Sequence, residues 1–271
     1  MQLPQLSFAA QHKTPDLEPT IARIALSAAL ADKFILEGSK VIAVGRHQDR
    51  LGAFVQKHGA AKASGVRYDI NDRAGQDGFI KEIVDRYPDL DCVFLNSRVQ
   101  TQVRLSRPAE VDLDAFHQEV STNFNRLVDL SVKFLPHLQK KPVPTALIVT
   151  GTLLAHVPTV VMSAYSASKA ALAAYVDCLR RQDKASSTKI IEMWPPVVQT
   201  ELHDYLGPQR GRAMGMPVGE FIDKVWPPLA VAEEHVIVGA IGPEEEFLDS
   251  VKWRREQFEA LSGRMLSHFQ L

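Results

Sequence analysis

The chain alternates short apolar runs with longer segments in which apolar residues recur every three or four positions. The short runs are typical of buried strands, and the periodic segments are typical of helices. The pattern predicts strands at 40–44, 66–70, 92–96, 146–150, 189–194 and 235–238. It predicts helices at 21–37, 48–58, 72–87, 112–138, 163–183, 218–226 and 244–262. Because strands and helices alternate, we expect an α/β fold: a doubly wound parallel sheet, Rossmann-like, with helices on both faces.

Five of the predicted strands are followed by a polar residue or by a proline. These residues, each at or just beyond the carboxyl end of a strand, are Arg46, Asp69, Asn96, Thr152 and Pro195. Open parallel sheets bind ligands beyond that edge, where the strand order reverses. We therefore expect the five positions to lie around one site.

A tyrosine and a lysine, Tyr165 and Lys169, stand four residues apart in a segment rich in Ala and Ser. In a helix this spacing places both side chains on one face, one turn apart. A phenol is a poor acid or base at neutral pH because its ordinary pKa is about 10, and a nearby ammonium group favours the phenolate. The pair is a minimal device for exchanging a proton with a carbonyl oxygen. Because the same spacing also arises by chance, the pair indicates a catalytic site only if the surrounding residues support that interpretation.

Those surroundings resemble the short-chain dehydrogenase/reductase family over residues 38–240. The family pattern is a strand ending in a hydroxyl residue, then Tyr-x-x-x-Lys on a helix, then a strand followed by Pro-Gly-x-Val-x-Thr. This chain matches these parts in order with Thr152, the pair Tyr165 and Lys169, and the segment 195–200. Thr152 replaces the usual Ser, and Pro196 replaces the usual Gly. Proline cannot adopt the positive φ open to glycine, so we expect a different local path at 196.

The resemblance implies a role for each site residue. Tyr165 is expected to donate or accept the proton, Lys169 to tune it and hold the nicotinamide ribose, and Thr152 to position the substrate carbonyl. Asn123 matches a helix residue that holds a water beside the lysine. The implied catalytic residues are Asn123, Thr152, Tyr165 and Lys169; the implied cofactor-binding residues are Arg46, Asp69, Ile70, Asn96, Tyr165, Lys169, Val198 and Thr200.

The cofactor preference rests on the residues after two strands. Arg46 stands where the family residue meets the adenosine ribose, and a basic residue there resembles the NADP-preferring pattern. A solvated arginine in a polar turn is the alternative interpretation. Asp69 is placed near the adenine by the resemblance, and capping of the following helix is an equally physical role. The resemblance therefore implies NADP(H) more than NAD(H).

The amino-terminal signature of the family is missing. Members open with a strand and Thr-Gly-x-x-x-Gly-x-Gly, whose backbone N–H groups hold a pyrophosphate beside a helix end. The corresponding residues 20–27 contain no glycine, and Asn96 opens Asn-Ser-Arg where the family has Asn-Ala-Gly. We expect residues 1–20 to be an irregular segment, since prolines interrupt them. Residues 21–271 are expected to form a single domain whose first strand and Gly-rich loop are missing or altered.

Two classes of function remain open. The first is an NAD(P)(H)-dependent oxidoreductase that interconverts an alcohol and a carbonyl. The second is a non-catalytic relative that binds a nucleotide or a partner. The four catalytic-type residues favour the first class, and the lost Gly-rich loop favours the second. Apolar residues at 153–162 and 202–216 favour an apolar carbonyl or alcohol as substrate, with plain core or a partner surface as the alternative.

Composition narrows the choice of partners. The 271 residues carry a formal net charge of −1, which offers no electrostatic basis for binding nucleic acid or an anionic membrane. The chain shows no apolar run of about 18 residues, no signal-peptide pattern at its start and no metal spacing among its His and Cys residues. We therefore expect a cytoplasmic protein without a metal site. The resemblance implies a homodimer or homotetramer through the helices at 112–138 and 163–183.

Overall fold

The computed structural model describes residues 20–23, 26–266 and 268, without the side chains of residues 20–27, 204–206 and 208. The predicted irregular segment therefore lies, apart from Thr20, outside the described residues. The strands are β1 (Thr20–Arg23), β2 (Lys40–Gly45), β3 (Ala63–Arg67), β4 (Cys92–Leu95), β5 (Thr145–Thr150), β6 (Thr188–Trp194) and β7 (His235–Ile237). The α-helices are α1 (Leu26–Leu36), α2 (Gln48–His58), α3 (Gln76–Arg86), α4 (Leu113–Val120), α5 (Arg126–Gln139), α6 (Ser163–Gln182), α7 (Pro208–Arg212), α8 (Val218–Ala230) and α9 (Glu244–Leu266).

All paired strands run parallel. One set has the order β1-β2-β3 and the other the order β4-β5-β6-β7. β1 also lies against β4, so the sequence of strands across the sheet is 3-2-1-4-5-6-7 and its direction of winding reverses between β1 and β4. This arrangement confirms the predicted doubly wound α/β sheet. It also places the ends of β2 to β6 along one edge, around the point of reversal.

Helices cover both faces of the sheet because alternate strand residues point to opposite sides. In β2, Val41 packs on one side and Ile42 on the other. The first face is filled from α1, α2 and α8 by side chains that include Leu30, Phe34, Phe54, Phe221 and Val225. The second is filled from α3, α5 and α6 by side chains that include Phe79, Ile83, Leu127, Phe134, Leu172 and Val176. Both faces of the sheet are therefore covered by helices of the described part of the chain.

Several predicted boundaries were wrong. The helix expected from residue 21 begins at Leu26, because Thr20–Arg23 pairs with β2 as a strand. The first strand is therefore present but only four residues long. The strand expected at 66–70 lies at Ala63–Arg67, where the ladder with β2 runs. The helix expected from 72 begins at Gln76, since the Asp72 carboxylate accepts a hydrogen bond from Gly75 N at 3.0 Å and holds a turn there.

A buried charge cluster ties the last helix to the sheet. Asp177 of α6 accepts hydrogen bonds from Arg180 at 3.3 Å and from Arg254 of α9 at 2.9 Å. A carboxylate oxygen of Asp177, a carboxylate oxygen of Glu192 and a ring nitrogen of His235 lie within 4.8 Å of one another. Burial lowers the pKa of His235 to about 2, and the Arg180 charge acts in the same direction. Asp177 forms ion pairs with Arg180 and Arg254, and the neutral imidazole of His235 contacts Arg180 at 3.1 Å; the sequence analysis missed this network.

None of the helices in the described part of the chain combines the length and the apolar character needed to cross a membrane.

Gly151 offers a test of how tightly the end of β5 is packed. A Cβ added there would lie 2.4 Å from Cδ1 of Trp194 and 2.8 Å from Oε1 of Glu192, both on buried side chains. We expect Gly151→Ala to lower the free energy of unfolding by about 1–3 kcal/mol through overpacking, as measured by urea denaturation.

Gly52→Ala is the matched control. Nothing lies within 4 Å of the added Cβ at this position of α2, and alanine in a helix interior should raise stability by up to about 1 kcal/mol. Equal stability of Gly151→Ala and the parent protein would contradict the packing argument.

Candidate active site

The structure brings the predicted hydroxyl pair together. Tyr165 lies on α6 and is 4% exposed, and Thr152 follows β5 at the start of a short 3-10 helix, Leu153–Ala155. Thr152 lies close enough to Tyr165 for its side chain to lower the pKa of the phenol. Thr152 Oγ1 also accepts a hydrogen bond from Leu154 N at 3.3 Å, which caps the short helix. Two hydroxyl groups are thus positioned side by side at the carboxyl end of the sheet.

Lys169 lies one turn further along α6 and is completely buried. Its Nζ donates a 2.7 Å hydrogen bond to the carbonyl oxygen of Thr150. Burial lowers the pKa of Lys169 to about 7; the charge of Arg98 lowers it as well, and that of Glu192 raises it. The lysine therefore changes charge near neutral pH, while its position is fixed by β5.

The environment of the Tyr165 phenol combines opposing influences. Burial raises its pKa above the ordinary value, the positive charge of Arg98 and the Thr152 side chain lower it, and the carboxylate of Glu119 raises it. The cation that acts on this phenol is therefore Arg98, which the sequence analysis did not assign to the site.

Asn123 lies in a π-helical turn, Ser121–Asn125, between α4 and α5. The predicted continuous helix is wound differently there, and such turns are frequent at functional sites. The Asn123 side chain accepts a hydrogen bond from Val99 N at 2.8 Å and donates to Val99 O at 2.8 Å and to Ser168 Oγ at 3.3 Å. The amide clamps the loop after β4 onto α6. Its role in holding a water stays a prediction.

Asn96 and Arg98 stand at the end of β4. Asn96 is buried, and its Oδ1 accepts hydrogen bonds from Thr150 Oγ1 at 2.6 Å and from Arg98 Nη1 at 3.1 Å. Arg98 occupies the third position of the segment that resembles Asn-Ala-Gly. The sequence analysis noted the loss of that glycine and overlooked the positive charge that replaces it. The arginine in the sequence at position 98 could have indicated this charge.

Arg46 and Asp69 lie together at the ends of β2 and β3. Arg46 Nη1 is 4.0 Å from Asp69 Oδ2, and both side chains are exposed. Asp69 Oδ1 accepts a hydrogen bond from Asn71 N at 3.0 Å. Asp69 therefore stabilises a turn, and the expectation that it caps the next helix was wrong, because α3 begins only at Gln76. Ile70 packs against the core on the α3 face.

A cavity of about 190 Å³ opens in front of the two hydroxyl groups. Most of its wall is apolar, and its lining consists of Arg98, Gln100, Thr152, Leu153, Leu154, Met162, Tyr165, Pro195, Pro196, Val197, Val198, Thr200, Leu202, His203, Ala240 and Ile241. Val198 and Thr200 thus lie in the same cavity as Tyr165. Val160 and Val161, which the sequence analysis counted as pocket walls, are exposed to solvent instead.

The Pro196 side chain lies close to a glycine, Gly239. An added Cβ at Gly239, whose φ is +78°, would lie 3.4 Å from Pro196 Cβ. The ring of Pro196 therefore fills space on the cavity wall, and the conformational freedom of glycine is used at position 239.

A doubly wound parallel sheet with a buried Tyr-x-x-x-Lys pair at its carboxyl edge defines a Rossmann-like protein of the oxidoreductase class. The family described as short chain dehydrogenase matches residues 22–211. The chain belongs to this family.

Individual relatives agree with this assignment. Over 174 residues the chain is 32% identical to the oxidoreductase DltE of Bacillus subtilis (strain 168), a match that covers 64% of this chain and 68% of the relative. A short chain dehydrogenase/reductase from Burkholderia phymatum in complex with NAD superposes with a TM-score of 0.75 at 16% identity, covering 91% of this chain and 95% of that one. A short-chain dehydrogenase from Sphingobium yanoikuyae in complex with NADPH superposes with a TM-score of 0.77 at 16% identity, covering 90% of this chain and 96% of that one. At this identity the two structures establish the fold.

The pKa of Lys169 leads to a pH-dependent stability. The buried lysine has a pKa of about 7 against an ordinary value of 10.5, so between these values the unfolded chain binds the extra proton. Stability conferred by Lys169 is therefore present above about pH 10.5 and is lost as the pH falls to 7. Relative to Lys169→Met, the parent protein should gain unfolding free energy as the pH rises through this range, by at most about 1.4 kcal/mol per pH unit.

Chemical denaturation at intervals across this pH range measures the effect. Lys252→Met, at an exposed position on α9, supplies the background for removing a lysine. The difference in unfolding free energy between the parent and Lys169→Met should change more steeply with pH than the difference between the parent and Lys252→Met. A constant difference between Lys169→Met and the parent across the range would contradict a depressed pKa at Lys169.

Proposed function

We propose that this chain is an NAD(P)(H)-dependent oxidoreductase that interconverts an alcohol and a carbonyl, with Tyr165 as the proton donor or acceptor. The observation that carries the proposal is that the hydroxyl residues Tyr165 and Thr152 line one cavity, with the buried Lys169 one turn along the same helix as Tyr165. A carbonyl oxygen placed between the two hydroxyl groups receives a hydrogen bond from Thr152 and a proton from Tyr165. In the opposite direction the phenolate removes the proton of an alcohol.

The remaining residues set up this proton transfer. Arg98 lowers the pKa of Tyr165 against the effect of burial. Lys169 holds the end of β5 through Thr150, and Thr152 lies two residues further on. Asn123 keeps the loop that carries Arg98 in place through Val99. Each group acts on the phenol or on the position of its neighbour, and the phenol alone exchanges the proton.

The residues present fit a nicotinamide dinucleotide at both of its ends. Asn96, Tyr165, Lys169, Val198 and Thr200 surround the point where strand order reverses, and Arg46, Asp69 and Ile70 lie beyond the ends of β2 and β3. Asn96, Tyr165 and Lys169 would hold the nicotinamide ribose, and Arg46 with Asp69 the adenosine ribose. When bound, the cofactor supplies or accepts the hydride. Relatives in this fold have been solved with NAD and with NADPH.

The alternative is a non-catalytic relative that binds a nucleotide or a partner. One observation favours it: no glycine precedes Gly38, so the segment after β1 lacks the residue type that lets backbone N–H groups converge on a pyrophosphate. The buried Tyr165, Lys169, Thr152 and Asn123 favour the enzyme, because a pure binding module has no use for a phenol and a lysine desolvated together.

We also propose that the protein assembles as a homodimer or homotetramer through α6. Ala170, Ala171 and Ala174 form an apolar stripe on this helix that is exposed in the single chain. Small side chains at this spacing allow two helices to pack closely.

Replacement of Tyr165 by phenylalanine tests the catalytic assignment. Tyr165→Phe removes the proton donor and should reduce turnover of any accepted ketone by at least about 100-fold. The loss of one buried hydroxyl group should cost only about 1 kcal/mol of stability. Turnover is followed by the absorbance of the reduced nicotinamide, and stability by chemical denaturation.

Tyr175→Phe is the matched control on the same helix. Tyr175 Oη forms a 2.7 Å hydrogen bond with Ser131 Oγ and is not among the residues that line the cavity. This variant loses the same atom and should keep its turnover. Parental turnover by Tyr165→Phe would refute the assignment, and a parent protein that reduces no ketone in a broad screen would favour the non-catalytic alternative.

The cofactor preference is tested at Arg46. Its exposed guanidinium lies 4.0 Å from Asp69 and forms no closer ion pair with a described residue, so it is available for charge-assisted hydrogen bonds to a 2′-phosphate. We expect NADPH to bind at least about tenfold more tightly than NADH, and Arg46→Ala to remove most of this difference.

Equilibrium titration by intrinsic fluorescence measures both affinities. Arg86→Ala is the control, because Arg86 is an exposed arginine at the end of α3 that leads into the start of β4, on the opposite edge of the sheet. Equal affinities for NADPH and NADH in the parent protein would be evidence against the preference.

A further inference from the structure

Arg98 is held in a fixed position at the end of β4. Its Nη1 donates a 3.1 Å hydrogen bond to Asn96 Oδ1, and the same oxygen accepts the Thr150 hydroxyl at 2.6 Å. The next residue, Val99, is bound through both its backbone N–H and its carbonyl by the Asn123 side chain, at 2.8 Å each. Because hydrogen bonds fix the chain on one side and the guanidinium on the other, Arg98 is a preorganised group.

Arg98 lines the cavity that also contains Thr152 and Tyr165. Arg98, Thr152 and Tyr165 line the same space of about 190 Å³. Among the described residues that line this cavity, Arg98 is the single lysine, arginine, aspartate or glutamate. The rest of the wall is mainly apolar, from residues such as Leu153 and Leu202. A ligand in this cavity therefore meets one positive charge, two hydroxyl groups and an apolar surface.

No carboxylate in the described part of the chain lies within ion-pair distance of Arg98. A guanidinium remains protonated across the physiological range and presents five donors in a planar fork. Asn96 Oδ1 accepts from only one of its nitrogens. A mostly apolar cavity makes an unpaired cation costly unless a ligand supplies the opposite charge. The group that best matches a planar fork in such a cavity is a carboxylate.

We propose that Arg98 binds a carboxylate of the substrate, so that the preferred substrates are oxo acids and hydroxy acids with a short apolar remainder. This inference rests on the proposed function for the reacting carbonyl. The carboxylate is bound at Arg98, the carbonyl or hydroxyl oxygen one or two carbons away lies between Tyr165 and Thr152, and the apolar remainder contacts Leu153 and Leu202. The carboxylate is unchanged in the reaction, and the substrate class is narrower than the apolar ketones expected from the sequence.

The location of the cavity favours a substrate carboxylate over a cofactor phosphate as the partner of Arg98. Arg98 lines one cavity together with Tyr165, Thr152, Pro196 and Leu202. Arg46, which is proposed to meet the adenosine ribose phosphate, follows β2, and β1 lies between β2 and the strand that carries Arg98. The two arginines therefore lie at separate ends of the site.

The test compares acids with their uncharged counterparts by binding, without turnover. The probes are 4-methyl-2-oxopentanoate and 3-hydroxybutanoate, each against its primary amide, titrated into the full chain by isothermal calorimetry. The parent protein should bind at least one of the acids at least about tenfold more tightly than the matching amide, the scale of a charge-assisted hydrogen bond. Arg98→Met should bind acid and amide equally, with amide affinity unchanged, and Arg98→Lys should keep part of the preference.

Arg86→Met, an exposed arginine on the opposite edge of the sheet, is the control and should keep the full preference. Equal binding of acid and amide by the parent, or a preference that persists in Arg98→Met, overturns the inference. A loss of NADPH affinity in Arg98→Met without loss of acid preference also overturns it and assigns Arg98 to the cofactor. If Arg98→Met does not fold, the acid and amide comparison in the parent and in Arg98→Lys still decides.

The two proposals fail in different ways. Tyr165→Phe should lose turnover and keep the acid preference, because the proton donor is not the carboxylate ligand. Reduction of neutral ketones with no preference for acids would leave the proposed function intact and refute the carboxylate site. An acid preference that depends on Arg98 in a protein without turnover would support the carboxylate site and refute the oxidoreductase.

Discussion

The hydrogen bond from Lys169 Nζ to the carbonyl oxygen of Thr150 is the contact on which the candidate site depends. It measures 2.7 Å and joins α6 to the end of β5 at a point where the lysine has no exposure to solvent. A buried ammonium group needs such a partner because desolvation of its charge is costly. The hydroxyl of the same Thr150 donates to Asn96 at the end of β4. One threonine thus sets the relative positions of α6, β4 and β5, and with them those of Tyr165, Thr152 and Arg98.

The site contains two cations, Lys169 one turn along α6 from Tyr165 and Arg98 at the end of β4, and their protonation differs. Lys169 has a pKa lowered to about 7 by burial and by Arg98, so its charge varies around neutral pH. Arginine stays protonated throughout this range and supplies a constant positive charge. Burial raises the pKa of Tyr165, and Arg98 counteracts that effect. Arg98 thus adds a permanent positive charge near the phenol, besides the lysine of the Tyr-x-x-x-Lys pair.

The departures of this chain from the family pattern occur around one cavity. Pro196 stands in place of a glycine and packs against Gly239, where the chain has a positive φ of 78°. Arg98 stands in place of another glycine and lines the same cavity. Thr152 keeps the hydroxyl of serine and adds a methyl group. The fold matches the short chain dehydrogenase family, whereas the lining of this cavity includes residues that depart from the family pattern.

The sequence by itself determined the alternation of strands and helices, the parallel sheet and the pairing of Tyr165 with Lys169, because these depend on periodicity and on spacings of a few residues. Tertiary structure decided where Arg98 points, why the helix around Asn123 contains a π-turn, and that Asp177, Glu192 and His235 meet. Tertiary structure also determined that β3 spans Ala63–Arg67 and not the predicted residues 66–70, because the strand covers the residues that pair with β2. The contacts responsible join residues far apart in the chain, such as Asn96 and Thr150. No local pattern records such contacts, since burial and partner positions arise only when the strands and helices pack.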